Sequence, residues 1–295
     1  MAKVAFVGLG VMGYPMAGHL KAKGGHEVMV YNRTAAKAEK WVSQYGGKSA
    51  PTPRQAADGQ DFVLACVGND NDLREVMLGK DGVFAGVGKG AIVVDHTTAS
   101  AEIARELYGD AKKRSFQFID APVSGGVPRA VQGTLTIMVG GDDPAAIDRA
   151  RPLLRAMGDR LFDTGGLGSG HAMKALNNFV AAAGFAACAE ALLAGQRFGL
   201  DPARMIEILN VSTGRSFHTD LVLREHVVGG KFATGFQLGL LAKDVRIAAD
   251  LAHDLQLDAP LVRLVSERFE TARDMLGFTR DHTEAIKAWD KNSAV

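Results

Sequence analysis

Directly behind the apolar run Val4–Val7 stands Gly8-Leu9-Gly10-Val11-Met12-Gly13, and few folds accommodate a glycine triplet in that place. Gly8 permits a tight turn after a strand, Gly10 leaves the backbone bare for a pyrophosphate, and Gly13 lets the next helix pack closely on the strand. The helix start offers unpaired N–H groups and a partial positive charge to phosphate oxygens. Alone, such a triplet marks only a turn. A second buried run, Val28–Tyr31, follows at the distance a second strand requires. The segment therefore reads as a dinucleotide cradle to which Leu9, Val11 and Met12 also belong.

The same beat continues along the chain. Phe62–Val67, Ile92–Asp95 and Phe116–Ile119 are short apolar runs, separated by helical stretches at Val11–Lys23, Ala35–Tyr45, Asp72–Leu78 and Ser100–Lys113. Alternation of this kind predicts a doubly wound parallel sheet. Thr134–Val139 reads as a further strand and Pro144–Met157 as a helix with proline in its first turn. After Gly165-Gly166-Leu167-Gly168 the strand signals stop. His171–Phe198 predicts one long helix ending at Gly199, and Asp201-Pro202 supplies an N-cap and an N1 proline for the next. Leu240–Leu255, Leu261–Leu276 and Thr283–Trp289 add more helices, with Asp281 and Glu284 spaced as a capping box. The expected architecture is an α/β Rossmann dinucleotide-binding domain, residues 1–163, followed by an all-α substrate and dimerisation domain, residues 164–295.

Charge and composition narrow the partners. Lys plus Arg (34) nearly balances Asp plus Glu (33), so no bulk field draws the chain to nucleic acid or anionic lipid. Phe179–Gly195 imitates a membrane span, but Asn177, Asn178, Glu190 and Gln196 bracket or interrupt it, leaving fewer than the ~20 apolar residues a span needs. It reads as a buried helix. The first strand begins at Lys3, which leaves no room for a targeting segment, and a cytoplasmic enzyme is expected. Cys66 and Cys188 read as thiols of a reducing compartment, with a disulfide between them as the alternative. The eight histidines lack metal-ligand spacing, so no metal is expected.

Which dinucleotide is bound depends on the end of the second strand. NAD enzymes usually carry a carboxylate there for the ribose hydroxyls. Here the residues are Tyr31-Asn32-Arg33-Thr34. Arg33 can bind a 2′-phosphate through a charge-assisted fork, with Asn32 and Thr34 beside it. NADP is the expected cofactor and NAD remains usable. The competing reading makes Arg33 a solvated loop charge and Thr34 a helix cap.

Four blocks in order resemble the β-hydroxyacid dehydrogenases, a family with a 6-phosphogluconate dehydrogenase-like fold. They are Phe6–Gly18, Asp120-Ala121-Pro122-Val123-Ser124-Gly125-Gly126, the run Gly168-Ser169-Gly170-His171 through Lys174 to Asn178, and Phe236 through Lys243-Asp244. The resemblance covers nearly the whole chain. It implies that Lys174 and Asn178 are catalytic, that Ser124, Gly125 and Gly126 hold the substrate, that Val67 and Gly68 line the dinucleotide, that Thr98 lies near the nicotinamide ribose and that Lys243 sits by the cofactor. On the residues alone, Ser124-Gly125-Gly126 is equally a carboxylate nest or a turn between strands. Arg129, where the family carries a small residue, either reaches a second anionic group of the substrate or lies on the surface.

Lys174 and Asn178 are four apart and share a helix face. Hydride transfer to or from an alcohol needs a group that takes or returns the hydroxyl proton, a role open to a lysine held where burial or a nearby cation depresses its basicity. Asn178 can hold the substrate oxygen or orient the ammonium. Ala181 stands where 6-phosphogluconate dehydrogenase has the glutamate that protonates its decarboxylated product. Simple hydride transfer is therefore expected, between NADP(H) and a small 3- or 4-hydroxy acid or its semialdehyde. His171 then reads as a packed first-turn residue. An imine reductase and a silent dinucleotide-binding module are the alternatives, and Lys174 argues against both. The small-residue stretch Ala181–Ala194 predicts a homodimer or homotetramer. Asp281-His282-Thr283-Glu284 departs from the family's Asp-Phe-Ser, and Gly214–His218 is a candidate rim of the pocket, so the substrate itself is not fixed.

Overall fold

The structure is a computed structural model that describes residues 1–290, so the last five residues of the expected helical domain lie outside it. The chain divides into two compact units, Met1–Lys174 and the remainder from Ala175.

In the first unit β1 (Lys3–Val7), β2 (Glu27–Tyr31), β3 (Lys48–Ser49), β4 (Phe62–Ala65), β5 (Ile92–Asp95) and β6 (Gln117–Asp120) pair in parallel in the order β3-β2-β1-β4-β5-β6. That is the Rossmann order, with its switch point between β1 and β4. Beyond β6 the sheet becomes mixed. Strand β8 (Leu135–Gly140) runs antiparallel to β6 and to the two-residue β7 (Val123–Ser124), and parallel to β9 (Gly158–Gly165).

The period of two in each strand separates the two cores. Val4 and Phe6 of β1 pack with Met16 and Leu20 of α1 (Gly13–Ala22), Trp41 of α2 (Ala35–Tyr45) and Leu154 of α7 (Pro144–Met157). Ala5 and Val7 point the other way, to Leu73 and Met77 of α4 (Asp70–Leu78) and to Ile103 and Leu107 of α5 (Ala101–Lys113). Both faces of the sheet are thus dry, as a parallel sheet requires. Two short helices, α3 (Pro53–Ala57) and α6 (Gly126–Gln132), complete this unit. They, with β3, β7 and β9, carry no sequence pattern long enough to announce them.

Helix α8 (Ser169–Phe198) starts in the first unit and runs on into the second. Around it the second unit has α9 (Pro202–Asn210), a π-helical segment His218–Val228, α10 (Leu238–Asp254), α11 (Pro260–Leu276), a 3₁₀ turn His282–Glu284 and α12 (Ala285–Trp289). Phe185 and Leu192 of α8 pack with Leu241 and Val245 of α10 and Phe269 of α11. By length and composition α8 is long and apolar enough to cross a membrane, with mean hydropathy 1.5 in its most apolar window. The expectation that polar interruptions leave it too short an apolar stretch is therefore corrected. Its place in this core accounts for the apolar residues on its inner face. Asp281 caps the 3₁₀ turn through Thr283 N–H, whereas Glu284 turns to Arg280 and Lys287, so half of the expected capping box forms. Cys66 and Cys188 are free thiols.

Candidate active site

The three glycines of the first loop differ in what surrounds them. A side-chain carbon at Gly8, whose φ is +96°, would stand 2.2 Å from the Cys66 carbonyl oxygen, and one at Gly13 would stand 2.0 Å from the Gly8 carbonyl oxygen. One at Gly10 would meet nothing within 4 Å. Two glycines are thus demanded by packing, and the third faces open space at the end of β1, which fits a pyrophosphate. Helix α1 begins only at Gly13, two residues later than the periodicity predicts, because the loop takes up Val11 and Met12. Val11 is 68% exposed at the loop tip. Asn32 braces this loop by accepting from Leu9 N–H at 2.9 Å, and its amide donates to the Thr34 carbonyl.

Arg33 follows β2 with its side chain 85% exposed, and Nη1 lies 3.6 Å from Asp72 Oδ1. Thr34 occupies the N-cap position of α2 but makes no side-chain cap bond. At the end of β4, Val67 N–H donates to Thr97 Oγ1 at 3.0 Å. Gly68 is exposed, and a side-chain carbon there would meet Asp72 Oδ2 at 2.6 Å. Thr98 lies in the loop between β5 and α5.

A buried polar cluster joins the ends of β5 and β6 to the first turn of α8. Asp95 and Asp120 are register partners across the two strands. Asp120 accepts from Gly168 N–H at 2.7 Å and from His171 N–H at 2.9 Å, so it caps α8 from another element. His171 Nε2 pairs with Asp95 Oδ2 at 3.0 Å. Burial opposes a proton on His171, but the Asp95 hydrogen bond and the carboxylates of Asp95, Asp120 and Asp70 outweigh it and raise its pKa. His96 hydrogen-bonds the Ala121 carbonyl, and burial pushes its pKa down to about 4. The sequence singles out His171 as a packed residue and misses its carboxylate partner. Asp95 had one signal, an acidic residue closing an otherwise apolar strand.

One turn further along α8 are Lys174 and, four residues on, Asn178, only 8% and 7% exposed. Asn178 Nδ2 donates to Asp244 Oδ2 at 2.6 Å, and its Oδ1 accepts from Asn177. Lys243 Nζ stands 2.8 Å from Asp244 Oδ1, a close ion pair without hydrogen-bond alignment. Asp244 is therefore a site residue that sequence reasoning quotes without a role. Ser124 ends β7, and Gly125 (φ +132°) and Gly126 (φ +65°) open α6, both exposed. Arg129 is exposed, and its aliphatic stem lies over Gly125. In the segment Gly214–His218, Phe217 is 65% exposed whereas His218 is buried against Phe185.

Comparison with known proteins agrees with this geometry. The family profile for the NAD-binding domain of 6-phosphogluconate dehydrogenase matches residues 3–166. A second, described as NAD-binding of NADP-dependent 3-hydroxyisobutyrate dehydrogenase, matches residues 168–289. An uncharacterised oxidoreductase of Shewanella frigidimarina is 42% identical, with 99% of each chain covered. The 3-hydroxyisobutyrate dehydrogenase of Pseudomonas aeruginosa is 35% identical over 91% of each chain. Among solved structures, Mycobacterium tuberculosis 3-hydroxyisobutyrate dehydrogenase with L-serine superposes with a TM-score of 0.88 at 27% identity, covering 98% of this chain and 99% of that one. With a cradle fitted to a dinucleotide and a buried lysine–asparagine pair in the matching block, the chain belongs to the β-hydroxyacid dehydrogenase family of NAD(P)-dependent oxidoreductases.

Proposed function

We propose that this enzyme prefers NADP, acts on a short 3- or 4-hydroxy acid and its semialdehyde, and uses Lys174 as its proton carrier. One observation carries the reading: Lys174 and Asn178 are both withdrawn from solvent on one face of α8, with Asn178 tethered to Asp244. The nicotinamide supplies or accepts the hydride, and the proton chemistry falls to the protein. Lys174 Nζ returns a proton to the carbonyl oxygen in reduction and takes it from the hydroxyl in oxidation. Asn178, its amide fixed by Asp244, orients the substrate oxygen or the ammonium. Ser124 Oγ and the N–H groups of Gly125 and Gly126 receive the substrate carboxylate, supported by the exposure of both glycines.

Gly8 through Gly13, Asn32, Arg33, Thr34, Val67, Gly68, Thr98 and Lys243 hold the dinucleotide in this reading. Arg33 selects the 2′-phosphate. Residues 1–163 form the cofactor domain, and residues 164–295 form the substrate domain, through which a dimer or tetramer assembles. Two free thiols suit a reducing, cytoplasmic compartment.

Initial rates with a panel of semialdehydes, and with NADPH and NADH in parallel, test the proposal. Turnover is expected on one or more short aldehyde acids. Lys174→Ala should abolish it while NADPH still binds. Substantial residual turnover in Lys174→Ala removes that residue from the mechanism. Consumption of cyclic imines in place of aldehyde acids would replace the substrate class.

A further inference from the structure

We infer that Asp72 is a selectivity residue of the dinucleotide site, a fixed counter-charge that limits how strongly Arg33 favours a 2′-phosphate and keeps the unphosphorylated dinucleotide usable. The inference rests on the reading that Arg33 faces the 2′ position.

Arg33 follows β2, and Asp72 lies in the first turn of α4 after β4. These strands flank β1, whose end carries the glycine loop. The two side chains meet, with Nη1 and Oδ1 3.6 Å apart.

The partners differ in freedom. Arg33 is 85% exposed and can swing. Asp72 is held. Its own N–H donates to Asn69 Oδ1 at 2.9 Å, Asn69 Nδ2 donates to its Oδ2 at 3.1 Å, and that oxygen abuts the bare α-carbon of Gly68. A side chain at Gly68 would displace it. The carboxylate is thus fixed in place next to one of the residues expected to line the cofactor.

A phosphate hydrogen-bonded to Arg33 Nη1 where it stands beside Asp72 lies within about 7 Å of that carboxylate, inside the ~8 Å screening length of physiological salt. It is repelled while Arg33 attracts it. A ribose with two hydroxyls carries no charge to repel, and a hydroxyl can donate to a carboxylate, as ribose hydroxyls do to the acidic residue of many NAD sites. Asp72 therefore penalises one dinucleotide and spares or helps the other. Selectivity is a difference of affinities, and a repulsive element sets it as effectively as an attractive one. An acidic residue in a first helical turn also steadies the helix dipole. That role acts on stability alone and leaves the cofactor ratio unchanged.

The test is equilibrium titration of NADPH and NADH, followed by nucleotide fluorescence at fixed ionic strength, on the wild type, Asp72→Asn and Arg33→Ala. Asparagine keeps the shape and the Asn69 contact while removing the charge. Asp72→Asn should bind NADPH about 3- to 10-fold more tightly, with NADH binding unchanged or weakened, so the ratio of the two dissociation constants moves toward NADPH. A ratio within twofold of wild type overturns the inference, as does equal weakening of both cofactors. Arg33→Ala separates the two layers. If it lowers NADPH preference while Asp72→Asn leaves the ratio alone, the reading of Arg33 stands and the role of Asp72 falls. If Arg33→Ala leaves the ratio alone, the reading beneath is lost and the inference with it.

Discussion

His171 Nε2 lies 3.0 Å from Asp95 Oδ2, and neither side chain exposes any surface. The pair ties the first turn of α8, one turn before Lys174, to the end of β5. Removing one member of such a buried pair typically costs roughly 3–5 kcal/mol, because its partner is left charged and dry. The pH dependence has a definite sign. The native pKa of His171 is raised, so its contribution is complete below about 6.5, the value of an unfolded histidine, and fades as pH rises through the native value. His171→Gln should therefore be most destabilising in urea melts near pH 6 and less so at pH 9. A stability gap that stays constant with pH contradicts this.

His218 should act in the opposite sense. Burial first, and the nearby His282 second, push its pKa down to about 4. The unfolded chain binds a proton below about 6.5, whereas the native side chain resists until about 4, so folding loses stability as pH falls through that window. The loss is bounded at about 3 kcal/mol. His218→Gln removes the titration, and its stability relative to wild type should improve steadily between pH 7 and pH 4.5. Parallel wild-type and variant profiles across that range would count against it.

The glycine loop predicts a split between folding and binding. Gly13→Ala sets a carbon 2.0 Å from a backbone oxygen and should lower the melting temperature sharply or prevent folding. Gly10→Ala meets open space, so its melting temperature should stay within a few degrees of wild type. Its NADPH affinity should nevertheless drop at least about tenfold, since the methyl group occupies the approach to the backbone. Equal behaviour of the two variants, by melting and by cofactor titration, would mean the roles are misassigned.

How far the sequence discloses this architecture follows from chain distance. Strands β1, β2, β4, β5 and β6 are legible because each is a run of apolar residues buried on both faces. Strand β9 is not, since Asp159, Arg160 and Asp163 lie exposed along it and leave no apolar period. Strands β3 and β7 have two residues each, too few for any period. In the site, Gly8 to Gly13 and the pair Lys174 and Asn178 are legible because their spacing is local. Asp120, Asp95 and Asp244 are opaque because the groups they serve, Gly168, His171 and Asn178, stand 48, 76 and 66 residues away.

Asp244 offers a direct probe of how Asn178 is held. The 2.6 Å bond fixes which way the carboxamide points, because the carboxylate accepts only from its NH₂ end. Asp244→Ala frees the amide to rotate. Misplacement of a positioning group by about 1 Å can cost on the order of 100-fold in rate, and a smaller shift correspondingly less. A fall of up to that size in kcat is expected, with the NADPH dissociation constant changed far less. A variant with normal kcat would show that Asn178 needs no such tether.

The outer face of α8 tests the assembly. Met173, Leu176, Val180, Ala187, Ala191 and Phe198 recur at helical spacing, and all are exposed, Val180 at 67% and Phe198 at 85%. An apolar stripe running the length of a 30-residue helix is more than scattered surface hydrophobes and marks a contact surface. Its inner face is already packed, so in the proposed dimer or tetramer this stripe is the face that would receive a second copy of the chain. Val180→Asp should shift the protein toward monomer in sedimentation velocity at micromolar concentration. Leu255→Asp, at a residue 70% exposed beyond the end of α10, should leave the assembly as it was. A wild type that sediments as a monomer removes this interface, whatever the variants do.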